Sequence, residues 1–181
     1  ERERLEAEKK AKEEKERKER ERLEAEKKAK EEKERNLEIE KEYKIAKNAL
    51  KNAEYNYAEL LLKAFLISYP NHSLSGDAQY WLAETFRNRQ MYDEAVYAYF
   101  QSYVKYPNSE KAPISLLGLG QTLIKTGDKE QGCERIDSVK KEYPNASKYV
   151  LQKAKYSMTI HNCKETLEIL KSPKKKLSLS T

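Results

Sequence analysis

Beyond Ile39 the apolar residues of this chain recur at three- and four-residue spacing in successive stretches, while ahead of that point the apolar positions are leucine and alanine alone. Such spacing predicts helices. The stretches are punctuated by a recurring tripeptide, Tyr69-Pro70-Asn71, Tyr106-Pro107-Asn108 and Tyr143-Pro144-Asn145, with a period of 37 both times. Each proline stops a helix, because it lacks the N–H that would bond to the preceding turn and forces its predecessor out of the helical region. The Asn or the following Ser is expected to cap the next helix. Between prolines lie two apolar stretches broken by short polar turns, Asn88 to Gln90 in one repeat and Lys125-Thr126-Gly127-Asp128 in the next. One period therefore encodes a helix-turn-helix hairpin, and three such units run from about Ile39 to Asn145.

Counting back from each proline shows how the hairpins close. Leu82, Ala83, Phe86, Ala95, Tyr99 and Ser102 of the middle unit become Leu119, Gly120, Leu123, Gly132, Ile136 and Val139 one period later. The first unit supplies Ala46, Ala49, Ala58, Leu62 and Phe65. Small residues at Ala83/Gly120 and Ala95/Gly132 admit close approach of two helices, with bulky residues filling the space beside them. This is the contact logic of tetratricopeptide repeats (TPRs), so the fold class expected is an all-α TPR solenoid of three units behind a long charged helix. Residues 147 to 159 carry Tyr149, Val150, Ala154 and Met158 at helical spacing, as a capping helix would. A short last helix from Lys164 to Lys171 is expected to end at Ser172-Pro173, with a basic, disordered tail from Lys174.

Residues 1–36 are different in kind. A 17-residue sequence is duplicated at a period of 18, ERERLEAEKKAKEEKER standing at Glu1 to Arg17 and again at Glu19 to Arg35, with 15 basic and 14 acidic residues in the tract. Eighteen residues make five whole turns, which places Leu5 and Leu23 on one face. Acidic-then-basic pairs four apart, such as Glu6/Lys10, Glu8/Lys12, Glu13/Arg17 and Glu16/Arg20, support an isolated helix by ~0.2–0.5 kcal/mol each. One Leu per repeat does not make a coiled-coil seam. The tract reads as a solvated charged rod, with a weakly oligomerising helix as the alternative.

Composition narrows the function. With a mean hydropathy of −1.04 and no long apolar run, nothing spans a membrane as a helix. The formal charge of +6 comes largely from the C-terminal lysines, a weak case for nucleic acid. Glu1 as first residue marks a fragment or processed chain from which any signal peptide would already be gone. Two cysteines, Cys133 and Cys163, fit no metal pattern, and the repeat register turns Cys133 inward as a buried, inert thiol. His72 reads as a solvated turn residue, and His161-Asn162-Cys163 lacks the through-space geometry of a thiol protease. Gly118-Leu119-Gly120 is too short for a phosphate loop. No catalytic constellation emerges, so no enzyme activity, metal or cofactor is expected.

One further pattern is more specific. Tyr43-x2-Ala46, Tyr55-x2-Ala58, LLLKAFLISYPNHS from Leu60, AQYWLAETF from Ala78, YDEA from Tyr92, KYPNSEKAP, LLGLGQTLIKTGDKEQGC and EYPNAS together resemble the C-terminal domain of the YbgF/CpoB family of the Tol-Pal system. The resemblance covers about Tyr43 to Lys155 without a gap. It implies a periplasmic protein of a Gram-negative bacterium that holds the TolA stalk or peptidoglycan-synthesis machinery and links wall synthesis to outer-membrane constriction at division. The family's trimerising coiled coil is replaced here by the duplicated charged sequence.

The expected plan is a stalk at 1–36, a TPR domain with its cap at 37–160, and a short helix and tail at 161–181. The exposed positions of each first helix are the candidate partner-binding groove: Tyr43, Lys47, Leu50 and Lys51, then Asp77, Tyr80, Glu84, Arg87 and Asn88, then Ile114, Leu117, Gln121, Ile124 and Lys125. Mixed aromatic, aliphatic and charged anchors suit a protein segment. Rival readings are a BamD-like outer-membrane assembly scaffold, the accessory TPR domain of a periplasmic enzyme, and a nucleic-acid or cytoskeletal scaffold.

Overall fold

A computed structural model describes residues 1–171. Among them are eight α-helices and no strand: α1 (Arg2–Lys51), α2 (Tyr55–Ser68), α3 (Ser75–Asn88), α4 (Tyr92–Lys105), α5 (Ala112–Lys125), α6 (Lys129–Glu142), α7 (Lys148–Ile160) and α8 (Cys163–Lys171). The chain divides into two units after Lys41, within α1. The expected tail from Lys174 lies outside the described residues.

In the first unit every side chain from Glu1 to Glu38 is exposed, Leu5 and Leu23 included. Ion pairs run in both directions along the helix. Lys10–Glu6, Lys18–Glu14 and Lys28–Glu24 are acidic-then-basic, whereas Arg4–Glu8 and Lys9–Glu13 are reversed. Of the four pairs expected from spacing, only Glu6–Lys10 closes. Glu8 and Glu13 turn instead to the cations on their N-terminal side, because each charge has an opposite neighbour in both directions and solvent screens the difference.

The second unit is a stack of helical hairpins, α1 (from Glu42) with α2, α3 with α4, α5 with α6, and α7 with α8. Its 37-residue period is visible in the backbone. The C-caps Tyr69, Tyr106 and Tyr143 adopt φ/ψ of −132/56, −127/54 and −125/63, each donating its N–H four residues back. Ala53, Gln90 and Gly127 turn the hairpins with φ of 59, 61 and 98. At each turn the next N–H reaches back five residues, Glu54 to Ala49, Met91 to Phe86 and Asp128 to Leu123, which caps the helix end. Only the third turn uses the residue that adopts this conformation without cost.

The helix starts depart from the sequence expectation. Neither Asn71 nor Asn108 caps a helix: α3 and α5 begin after Leu74 and Lys111, which provide no side-chain cap. The residues after each proline first form another tight turn, His72 N–H to the Tyr69 carbonyl and Ser109 N–H to the Tyr106 carbonyl. The side chains at these positions then accept the N–H two residues on, His72 Nδ1 from Leu74 and Ser109 Oγ from Lys111. His72 is thus a fixed turn residue, edge-on to Phe65, and not a freely solvated one. Ser147 alone caps as expected, accepting from Val150 N–H.

Packing follows the expected pattern of small residues at the helix crossings. A Cβ on Gly120 would stand 2.7 Å from the Gly132 carbonyl oxygen, and one on Gly132 2.6 Å from that of Gly120, so the two backbones meet where the pattern placed them. Ala83 and Ala95 are fully buried one period earlier. Several buried hydroxyls are paired: Ser102 with Ser115 at 2.8 Å, Thr122 to the Gly118 carbonyl, Thr85 to the Trp81 carbonyl. Between repeats, the Tyr106 hydroxyl donates to the Pro70 carbonyl at 3.0 Å, one Tyr-Pro loop holding the previous one. Glu59 joins Lys63 and Arg89. Burial pushes its carboxyl up, but the hydrogen bonds from these two cations outweigh it and hold it below the ordinary range.

Cys133 and Cys163 form a disulfide, with Cα atoms 5.2 Å apart. Cys133 is therefore buried, as expected, but is not a thiol. The bond joins α6 to α8 and closes the last hairpin against the stack.

Candidate functional site

The helices that open each hairpin touch one another, α3 with α5 and α5 with α7, whereas α2, α4 and α6 make no such contacts among the described residues. The stack of the second unit therefore curves with the first helices on its inner face, and that face carries the candidate site.

Its centre combines α1, α3 and the start of α5. One helical turn separates Tyr43 from Lys47, and one separates Asp77 from Trp81, so each pair faces the same way. The Lys47 ammonium lies 5.1 Å from the Trp81 ring centre and 5.5 Å from that of Tyr43. From the α5 side, the Lys111 ammonium lies 5.9 Å from Trp81 and 6.0 Å from Tyr80. Cations over aromatic faces are favourable, and the indole is held by two of them. Asp77 sits in the same cluster and accepts from Ser109 Oγ. Burial pushes its carboxyl above the ordinary range and Glu110 adds to this, against the pull of Lys111 and Lys47.

Some polar atoms here are closed off from solvent. The Tyr43 hydroxyl and Trp81 Nε1 are buried and complete no hydrogen bond. The Tyr43 phenol is pushed well up, first by burial and then by the Asp77 charge, so it remains a donor. A second cluster follows along α3. Glu84 receives the Tyr99 hydroxyl and Arg87, while Arg87 Nε has no partner. Burial and then the Glu84 charge raise both Tyr80 and Tyr99 well above the ordinary phenol range. Tyr80 links the clusters, its ring 4.9 Å from Trp81 and 6.2 Å from Tyr99.

The other sequence candidates divide. Asn88 is exposed but donates to the Glu84 carbonyl at 2.8 Å. Leu50 and Ile124 are half-buried. Leu117 is 1% exposed and presents no surface, because α7 covers its side of α5. Gln121 is tied to Ser157 of α7 at 2.6 Å. Lys125 and Lys51 are exposed at the rim, Lys125 over Tyr92 at 5.9 Å. The structure therefore gathers the half-buried Lys47, Asp77, Glu84 and Arg87 around Tyr43 and Tyr80, which are buried rather than exposed as expected, and adds Trp81 and Lys111, which the helix register had passed over. The only tryptophan of the chain, four residues after Asp77, was the available signal.

The tyrosines outside this face divide, with Tyr57, Tyr97, Tyr149 and Tyr156 largely exposed and Tyr103 engaged. The Tyr103 hydroxyl donates to Glu142 at 2.5 Å, and that bond, with burial, pushes its phenol up to about 12. Tyr97 stays 65% exposed. Among the described residues no three or more His, Cys, Asp or Glu converge as a metal site, and no helix is long and apolar enough to cross a membrane.

The tetratricopeptide-repeat family profile matches residues 77–109 and 115–146, the second and third hairpins. No curated protein matches the chain at a significant level. Repeats, hairpin stack and inner face agree: the chain contains tetratricopeptide repeats, its fold is the all-α TPR solenoid, and a role in protein–protein interaction follows from the module it carries.

Proposed function

We propose that this chain is a non-enzymatic adaptor of the Gram-negative periplasm, of the YbgF/CpoB type. It holds a segment of TolA or of the peptidoglycan-synthesis machinery and couples wall synthesis to outer-membrane constriction during division. The observation that carries the binding reading is the inner-face cluster, in which the half-buried Lys47 and Lys111 both lie over Trp81, beside Tyr43 and Tyr80. Half-buried lysines beside an aromatic face suit a polypeptide segment that carries carboxylates and apolar side chains. The Tol-Pal assignment draws on the Ala78-x-Tyr80-Trp81-Leu82 run and the Gly127-Asp128-Lys129 turn ahead of Cys133. A structural disulfide is in keeping with an oxidising compartment.

The test is calorimetric titration of the whole chain with the periplasmic stalk of TolA from the same organism. Saturable heat that weakens in Trp81→Ala and in Lys47→Glu/Lys111→Glu is the expected outcome. Absence of heat at several temperatures removes TolA as partner and sends the titration to wall synthases. Binding that is indifferent to both variants takes the site off the inner face.

A further inference from the structure

We propose that the chain has a second docking surface, the cleft between α6 and α7, which receives an acidic amphipathic helix of a protein partner. The cleft measures about 680 Å³. Ile136 of α6 and Leu151, Ala154 and Met158 of α7 contribute its apolar lining. It is open because α7 packs less extensively on α6 than α5 does on α4.

Four lysines rim this apolar recess, Lys140 from α6, Lys148 and Lys155 from α7 and Lys164 from α8. All four are exposed, and none has an ion-pair partner among the described residues. The one carboxylate in the lining, Asp137, is already engaged by Lys141. The local field is therefore positive without compensation, and it surrounds surface that water hydrates poorly.

Charge and shape together select the occupant. Lys148 and Lys155 are two turns apart on one helix, about 10 Å along its axis, a spacing that glutamates two turns apart on a second helix reproduce. Apolar residues between those glutamates would enter the recess, the usual way an amphipathic helix occupies a groove. A nucleic-acid strand would want aromatic platforms for its bases, and no aromatic residue lines the cleft. Membrane surfaces are bound by bulky apolar groups projecting beyond the charges, whereas here the apolar atoms lie below the lysine rim. The Cys133–Cys163 bond holds α8, and with it Lys164, against α6, so that end of the cleft is fixed before a partner arrives. The surface lies away from the Tyr43–Trp81–Lys111 cluster and does not depend on it.

The probe is a fluorescein-labelled synthetic helix of about 16 residues with leucines along one face and flanking glutamates, titrated into the whole oxidised chain and followed by anisotropy. A matched peptide with lysine for glutamate is the control ligand. Saturable binding of the acidic helix alone is expected, weakened roughly tenfold or more in Lys148→Glu/Lys155→Glu. It should be retained in Lys44→Glu/Lys105→Glu, which makes the same charge change on exposed lysines outside the cleft. Circular dichroism of both variants verifies that each is folded. Equal binding of the two peptides, or loss in both double variants alike, reduces the effect to net charge and overturns the proposal. No acidic-helix binding, with binding to phosphatidylglycerol vesicles instead, overturns it in favour of a lipid surface.

Discussion

Removing the bond between Cys133 and Cys163 is the most informative single perturbation of the stack. The two residues are 30 apart in sequence, and loop-closure entropy in the unfolded chain then gives a loss of about 3.6 kcal/mol when the cross-link is absent. For a repeat unit of this size the same loss corresponds to roughly 10–15 °C in melting midpoint. Both cysteines are fully buried, so the oxidised protein should resist mild reductant until α8 opens. The assay compares thermal and urea unfolding of the oxidised chain, the reduced chain and Cys133→Ala/Cys163→Ala. The reduced and variant proteins are expected to unfold together, well below the oxidised one. Limited proteolysis should then find new cleavage near Lys164, because α8 is the element that loses its tether. Coincident midpoints for oxidised and variant proteins, with unchanged proteolysis, would refute the argument that the cross-link closes the end of the stack.

Three smaller perturbations probe other levels of the structure. Gln90→Gly removes a side chain from a left-handed backbone position and should raise stability by ~0.5–1 kcal/mol in urea titration; a loss would argue that the turn is built differently. Gly120→Ala places a Cβ against the Gly132 carbonyl oxygen, which no rotamer can relieve. It should cost roughly 1–3 kcal/mol, and an unchanged midpoint would rule out the close approach. Asp77→Asn tests the half-buried carboxylate, whose folded pKa lies above its ordinary 3.8. A raised carboxyl contributes stability when protonated and loses it as pH rises through the folded value. The variant should therefore melt higher than the parent at pH 7, and the gap should close as pH falls to the ordinary value; a gap that widens on acidification reverses the sign and refutes the reading.

Much of the hairpin stack was legible because its signals are local. Prolines at a fixed period, small residues facing small residues and glycine at a turn act through their own backbone neighbourhood, so spacing alone located the helices and the Gly120/Gly132 crossing. What escaped depends on partners distant in sequence. Trp81 became central only when Lys47 and Lys111, from two other helices, came to lie near its ring. Leu117 dropped out because α7 covers it, which no count along α5 reveals. The disulfide was hidden for the same reason: Cys163 opens a short terminal helix whose docking on α6 leaves no periodic trace. The missed caps at Asn71 and Asn108 are a local failure. Tyr-Pro-Asn continues into a second turn before the helix begins, and the residues that settle the start are His72 and Ser109.

Three loops close at Tyr69, Tyr106 and Tyr143 with nearly the same backbone angles, and three hairpins bend at Ala53, Gln90 and Gly127. A block of 37 residues cut at equivalent points therefore begins and ends in superimposable backbone. Tandem copying of such a block joins like to like, and the array can lengthen by whole hairpins without inventing a junction. Deleting a block is equally seamless. The reach of the protein is thus a quantity that recombination can change in integer steps, while the fold of every remaining hairpin stays as it was.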